Sequence, residues 1–222
     1  MRTDDLVHAL AADHAPTHPS TGRKFAVAIA IGFAISASLF WVTLGPRPDI
    51  AEAAMTVRFD FKIAEALLLA ATAIALAVRL AQPGAGTALQ KWVVALAPVL
   101  LAVAVVAELF TVPASQWQTK LVGSMSMMCI TAIPLLSLPL LMATLLALRQ
   151  SAPTKRGTAG AMAGLVAGGL AAALYGMQCI DDSPLFVATW YTLSIGAVTA
   201  LGAVRVALHR GLTALARNLR EG

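Results

Sequence analysis

Charged residues and catalytic motifs are both scarce in this chain of 222 residues. Only 12% of the residues are Asp, Glu, Lys or Arg, whereas 59% are apolar, a composition too apolar for a soluble domain. The sequence contains no GxSxG nucleophile turn, no HExxH helix and no glycine-rich phosphate loop. These absences predict a membrane protein that is not an enzyme.

Cysteine is also scarce, because the chain has only Cys129 and Cys179 and no CxxC pair. A membrane thiol oxidoreductase needs a second cysteine pair to pass electrons on. The cysteine count therefore argues against that class of protein.

Six apolar segments are long enough to cross a hydrocarbon core, which needs about 20 residues per helix. The predicted fold is all-α, a polytopic membrane bundle of six transmembrane helices within residues 25–205. A short N-terminal segment (1–24) precedes the bundle and a tail (206–222) follows it. The spans cover about residues 25–44, 62–80, 92–110, 126–148, 158–177 and 185–205.

The net charge of +5 indicates orientation in the membrane rather than nucleic-acid binding. Of the 16 Lys and Arg residues, only Arg47, Arg58, Lys62 and Lys120 fall on the side opposite the N-terminus. Positive residues accumulate on the cytoplasmic side of a membrane protein. Both termini are therefore predicted to be cytoplasmic, in a bacterial inner membrane, with lipid around the bundle and no direct contact with nucleic acid.

The N-terminal segment begins with the signature of an amphipathic helix. Asp4 and Asp5 suit the positive end of a helix, and Leu6, Val7 and Leu10 fall on one face. A helix of about three turns is marginal alone in water. We expect this segment to fold against a partner; a frayed tail or a helix lying on the bilayer is the alternative.

The six spans place Cys129 and Cys179 on the same outer side, which is an oxidising compartment in bacteria. Two thiols at one depth suggest a disulfide bridge or a pair of metal ligands. Thioether and thiolate groups favour soft ions such as copper(I), although methionine also fills packing gaps. The candidate auxiliary metal ligands are Met125, Met127, Met128, Met177, Asp181 and Asp182.

Glu65 and Glu108 are acidic residues within predicted spans. Ionisable groups inside a membrane are costly and draw attention as functional residues. Both lie near the outer ends of their spans, so we expect them to reach the headgroup layer.

Proline and glycine mark the fourth and fifth spans. Pro134 and Pro139 each remove a helical hydrogen bond and favour a kink. Gly160, Gly164 and Gly168 recur at intervals of four, which lets two helix backbones approach closely. The stripe predicts tight packing within the chain or in a homo-oligomer, and it makes these two spans candidates for conformational coupling.

Three stretches resemble the NrsF family, six-span bacterial membrane anti-sigma factors for extracytoplasmic-function sigma factors. They are MRTDDLVHALAAD, GSMSMMCITAIPLLSLPLL and YGMQCIDDSPLFVATWYTL. The resemblance implies that the N-terminal segment holds a sigma factor at the membrane. It also implies that Cys129 and Cys179 are sensor thiols for oxidants or heavy metals, with no cofactor required.

These expectations combine into a receptor hypothesis. Bridging or metal binding at the two thiols would draw the outer ends of the fourth and fifth spans together, and the N-terminal segment would release its partner. A small soft-metal transporter or a metal-binding membrane protein is the alternative, but a transporter would need polar groups at mid-membrane, and the first, third and sixth spans offer almost none. A purely structural membrane protein also stays open.

Overall fold

The computed structural model describes residues 21–80, 92–149 and 156–205. Within these ranges it has no strand and six helices long and apolar enough to cross a membrane, which confirms the predicted all-α fold. The predicted sigma-binding residues Asp4, Asp5, Leu6, Val7 and Leu10 lie outside the described residues, as does the tail 206–222. The helices are α1 (Thr21–Thr43), α2 (Val57–Leu80), α3 (Leu96–Thr111), α4 (Ser126–Arg149), α5 (Arg156–Gly176) and α6 (Pro184–Arg205).

The second helix begins earlier than its apolar stretch. The predicted span starts at residue 62, but α2 begins at Val57 and includes Arg58 and Lys62 in its first two turns. Both cations form ion pairs with acidic residues of other elements. Because their charge is compensated inside the fold, they need not mark the end of the helix.

Helix α5 lies at the centre of the bundle and is the most deeply buried span. It packs against α2 and α4 along most of its length. A Cβ atom on Gly169 would lie 3.1 Å from the Ala70 side chain of α2, so glycine sets the distance between these two helices. By contrast, α1 and α3 leave apolar side chains such as Val42 and Val103 exposed.

The predicted glycine stripe of α5 packs against α6. A Cβ on Gly164 would lie 2.6 Å from the Thr199 Cα, and one on Gly168 would lie 3.1 Å from an α6 side chain. At the far end of the contact, a Cβ on Gly202 of α6 would overlap the Gly160 carbonyl oxygen. The stripe therefore serves tight packing within the chain.

Helix α1 packs along α4 beside its two prolines. The Ser137 hydroxyl donates to the Pro134 carbonyl oxygen at 2.6 Å. From α1, the Ser36 hydroxyl donates to the Leu136 carbonyl oxygen at 2.7 Å. These hydroxyls add hydrogen bonds to backbone carbonyl groups in the stretch from Pro134 to Pro139, the two residues that interrupt the helical ladder.

Candidate thiol sensor site

Three connections meet at one end of the bundle, which we call the thiol end: residues 44–56, 112–125 and 177–183. Hydrogen bonds join the third connection to the first through Arg47 and Asp182, and to the second through Ser124 and Asp181. Cys179 lies in the third connection, and Cys129 lies in the first turn of α4, which follows the second. The fold thus brings the two cysteines to the same end.

The two thiols are free and fully buried. They belong to one hydrophobic cluster, together with the rings of Tyr175 and Tyr191. Cys129 and Cys179 are also close enough for a direct electrostatic interaction between their sulfur atoms. Two cysteines fifty positions apart in sequence therefore share one buried environment, as a bridge or a ligand pair requires.

Cys179 is held by contacts from its own loop and from α2. Its thiol donates a weak hydrogen bond to the Asp181 carbonyl oxygen at 3.8 Å, and its carbonyl oxygen accepts from Lys62 Nζ at 2.8 Å. Burial raises the pKa of the Cys179 thiol, and the nearby Lys62 ammonium opposes this rise. Burial therefore favours the protonated thiol.

A chain of alternating charges ties the first connection to the Cys179 loop. The Lys62 side chain is 0% exposed and forms an ion pair with Asp182. Asp182 in turn accepts a hydrogen bond from Arg47 at 2.9 Å, and Arg47 forms a bidentate pair with Asp49 at 2.7 Å. The bond to Asp49 is the main cause of a raised pKa at Arg47.

Sequence reasoning missed this role of Lys62, which the charge distribution identifies only as one of the predicted outer cations. The available signal was its position, since it is one of four cations on the outer side and stands at the predicted start of a span. A charged group bordering an apolar segment needs either solvent or a buried partner. Here the partners are Asp182 and the Cys179 carbonyl oxygen.

Glu108 and Glu65 do not reach the headgroup layer as expected. Glu108 is 4% exposed, with Arg58 donating to one carboxylate oxygen at 2.9 Å and Ser183 donating to the other at 3.2 Å. Glu65 is 6% exposed. For Glu108 the expectation is wrong because Arg58 at the start of α2 and Ser183 of the third connection bind its carboxylate inside the protein.

Asp181 and Asp182, both candidate metal ligands, have structural contacts here. The Asp181 carboxylate accepts from the backbone N–H groups of Ser124 and Met125, both at 2.8 Å, and so holds the two residues that lead into α4. Gly123 allows this close approach. Its φ is +60°, and a Cβ there would lie 2.7 Å from the Asp181 carboxylate.

The four candidate methionines divide into two pairs. Met125 and Met177 pack against the cluster that contains the thiols. The side chains of Met127 and Met128 are 74% and 41% exposed and lie on the surface of the bundle. Within the described ranges, no group of three or more His, Cys, Asp or Glu could hold a metal ion. A soft ion at this site would therefore depend on the two thiols, with Met125 and Met177 packed against the same cluster.

The start of α6 places an aromatic residue against the thiols. Residues Val187–Tyr191 form a π-helical turn, a feature often found at functional sites. The Tyr191 ring packs on Tyr175 and Phe186, with ring centroids 5.9 and 6.3 Å apart. Its hydroxyl is buried without a hydrogen-bond partner, a feature that no sequence pattern indicates.

The fold and site together define a six-helix membrane protein with a buried thiol pair at one end. The chain belongs to the NrsF family, whose model, described as "Negative regulator of sigma F", matches residues 10–209. This confirms the resemblance seen in the sequence, and the family is regulatory by its description.

Two relatives cover nearly the whole chain. It is 36% identical over 205 residues to the "Anti-sigma-F factor NrsF" of Caulobacter vibrioides (strain NA1000 / CB15N), across 91% of this chain and 95% of the relative. It is 32% identical over 206 residues to the "Probable anti-sigma-F factor NrsF" of Azospira oryzae (strain ATCC BAA-33 / DSM 13638 / PS), with the same coverage of both chains. No solved structure matches the chain.

Proposed function

We propose that this protein is an anti-sigma factor of the bacterial inner membrane that holds an extracytoplasmic-function sigma factor at its cytoplasmic face. It releases that partner when Cys129 and Cys179 react with an oxidant or bind a heavy or soft metal ion on the outer side. The observation that carries the proposal is the burial of both thiols in one cluster at one end of the bundle. Family membership supports the regulatory role.

The helix contacts offer a route from the thiols to the opposite end. Cys129 belongs to α4, and α5 leads directly into the Cys179 loop, so a bond or shared ligand between the sulfurs constrains α4 against α5. Helix α1 follows the predicted sigma-binding segment and is tied to α4 through Ser36 and Leu136. A displacement of α4 therefore also displaces α1, as coupling between two sites requires.

The free energy available is of the right order. Converting a population from mostly bound to mostly free takes about 5.5 kcal/mol of differential interaction. A disulfide closing a loop of about 50 residues contributes roughly 4 kcal/mol in the chain-entropy model. Metal binding to thiolates contributes about 10 kcal/mol or more at structural zinc sites. Either event therefore supplies enough free energy to move a substantial fraction of the sigma factor from the bound to the free state.

The test of the sensor is a full-length Cys129→Ser, Cys179→Ser double variant, assayed with a reporter gene under the control of the sigma factor. We expect normal repression without inducer and no response to peroxide or to a soft metal ion. The Met127→Leu variant is the matched control, because Met127 is exposed and lies two positions from Cys129. Normal induction of the double variant would contradict the proposal.

The test of the partner contact is a Leu6→Asp, Leu10→Asp variant, because Leu6, Val7 and Leu10 would form the buried face while Asp4 and Asp5 steer toward basic groups. We expect the protein to remain in the membrane while the sigma factor is no longer captured with it. Capture at the wild-type level would assign the contact to another inner surface.

A further inference from the structure

The Tyr191 hydroxyl is an unexplained polar group at the thiol site. Tyr191 is 2% exposed, and its hydroxyl makes no hydrogen bond. A buried donor without an acceptor is costly, so native structures pair nearly all such groups. Phenylalanine would fill the same space without that cost, which indicates that the hydroxyl serves a state other than the resting one.

The position of the hydroxyl points to Cys179. A Cβ on Gly176 would lie 3.7 Å from the Tyr191 hydroxyl and 3.7 Å from Lys62 Cε, and Lys62 Nζ binds the Cys179 carbonyl oxygen. The Tyr191 hydroxyl and the Cys179 thiol also interact directly. The donor therefore stands beside the sulfur, where it can donate to a sulfur that gains negative charge or an oxygen atom.

The local backbone explains how Tyr191 reaches this place. The π-helical turn Val187–Tyr191 widens the start of α6. The Ser194 hydroxyl then donates to the Trp190 carbonyl oxygen at 2.7 Å and to the Cys129 carbonyl oxygen at 3.3 Å. Ser194, in the turn that follows, thus joins the π-helical turn to the Cys129 backbone, while Tyr191 of the π-helical turn lies beside Cys179.

We propose that Tyr191 donates the hydrogen bond that holds an oxygen atom transferred to the Cys179 sulfur by a hydroperoxide. The inference rests on the oxidant branch of the proposed function and names its first step. Cys179 is assigned as the reacting thiol because the Tyr191 hydroxyl lies beside its sulfur and the Lys62 ammonium, which binds its carbonyl oxygen, favours negative charge on that sulfur. Cys129 is then the resolving thiol.

The two steps are balanced. The Cys179 sulfur attacks one peroxide oxygen, the S–O bond forms, the O–O bond breaks, and the second oxygen leaves as an alcohol or water with the thiol proton. The sulfur is oxidised by two electrons and the peroxide is reduced. The Cys129 sulfur then attacks the Cys179 sulfur, the S–S bond forms, and the oxygen leaves as water with the Cys129 proton. Tyr191 donates to that oxygen in the intermediate and as it leaves.

The experiment compares two oxidants on the full chain in detergent. Hydrogen peroxide places an oxygen on sulfur, whereas diamide oxidises a thiol pair without doing so. We expect Tyr191→Phe to slow formation of the Cys129–Cys179 bridge by peroxide about tenfold, the loss of one hydrogen bond to a developing charge. Bridge formation by diamide should keep the wild-type rate. The bridge is measured by mass spectrometry of non-reduced peptides.

Tyr175→Phe is the matched control, because Tyr175 also packs beside the thiols but its hydroxyl has an acceptor, the Met125 carbonyl oxygen at 3.4 Å. It should react with peroxide at the wild-type rate. Three results would overturn the inference. In the first, Tyr191→Phe forms the bridge with peroxide at the wild-type rate. In the second, Tyr191→Phe slows bridge formation equally with peroxide and diamide, and in the third, Tyr191→Phe and Tyr175→Phe slow it equally. If diamide but not peroxide forms the bridge in the wild-type protein, the Tyr191 inference is overturned but the proposed function is not. If neither oxidant forms the bridge, the oxidant branch of the proposed function is overturned as well.

Discussion

The contact between α5 and α6 can be tested by adding a single methyl group at Gly164. The Cβ of Gly164→Ala would lie 2.6 Å from both the Thr199 Cα and the Val198 carbonyl oxygen. These are backbone atoms, which cannot rotate away as a side chain can. Since ordinary contact begins at 3.4 Å, α6 must move by about 0.8 Å, the difference between these two distances.

Overpacking of this kind typically costs about 1–3 kcal/mol. For a chain of this size, each kcal/mol corresponds to about 2–4 °C in Tm, so Gly164→Ala should lower Tm by several degrees. Gly196→Ala is the matched control on α6, because a Cβ there meets nothing within 4 Å. That substitution should be neutral or should stabilise the helix by up to about 1 kcal/mol.

Thermal unfolding of the two full-length variants in the same detergent measures the difference. Equal Tm values for the two variants would refute the close approach of the helices on which this reasoning depends.

Three further predictions concern the thiol end. Lys62→Met should destabilise the fold by about 1–3 kcal/mol. This is less than the cost of a buried charge left without any partner, because Asp182 keeps its ion pair with Arg47. Chemical unfolding measures the change, and a wild-type free energy of unfolding would contradict the prediction. Gly123→Ala should destabilise the fold more than Gly196→Ala, because φ is +60° and a Cβ would also meet the Phe186 ring at 2.5 Å. Because burial raises the pKa of Cys179, iodoacetamide at pH 7.5 should alkylate it slowly in the folded protein and faster after unfolding. The alkylation rate should increase as the pH rises. If Cys179 in the folded protein were alkylated as fast as a fully exposed cysteine, its burial would be contradicted.

The architecture was predictable because each of its determinants is local in sequence. An apolar run of about 20 residues has to form a helix in a membrane, where no water satisfies the backbone. Glycine at intervals of four likewise defines a flat helix face wherever it occurs. The stripe from Gly160 to Gly168 therefore predicts a closely packed neighbouring helix, although it does not indicate that this neighbour is α6.

The polar contacts of the site were not predictable, because each depends on residues far apart in the chain. Ser36 finds its acceptor 100 positions away at Leu136, and Lys62 finds Asp182 120 positions away. The expectation that Glu108 reaches the headgroup layer failed for the same reason. Hydropathy gives the depth of a charge in the membrane but not whether another helix brings it a partner.

The buried ion pairs at the thiol end bear directly on how a sensor of this kind can respond. Lys62 binds both Asp182 and the Cys179 carbonyl oxygen, so the backbone that carries the reacting thiol is fixed to α2. A bond between Cys129 and Cys179 can move that backbone only by straining these contacts or by pulling α4 toward them. Breaking the contacts of Lys62 would leave a fully buried charge without its partners, which is costly, whereas α4 is already interrupted by two prolines. The strain of thiol reaction is therefore expected to pass into α4, and from there to α1, the helix that leads to the sigma-binding segment.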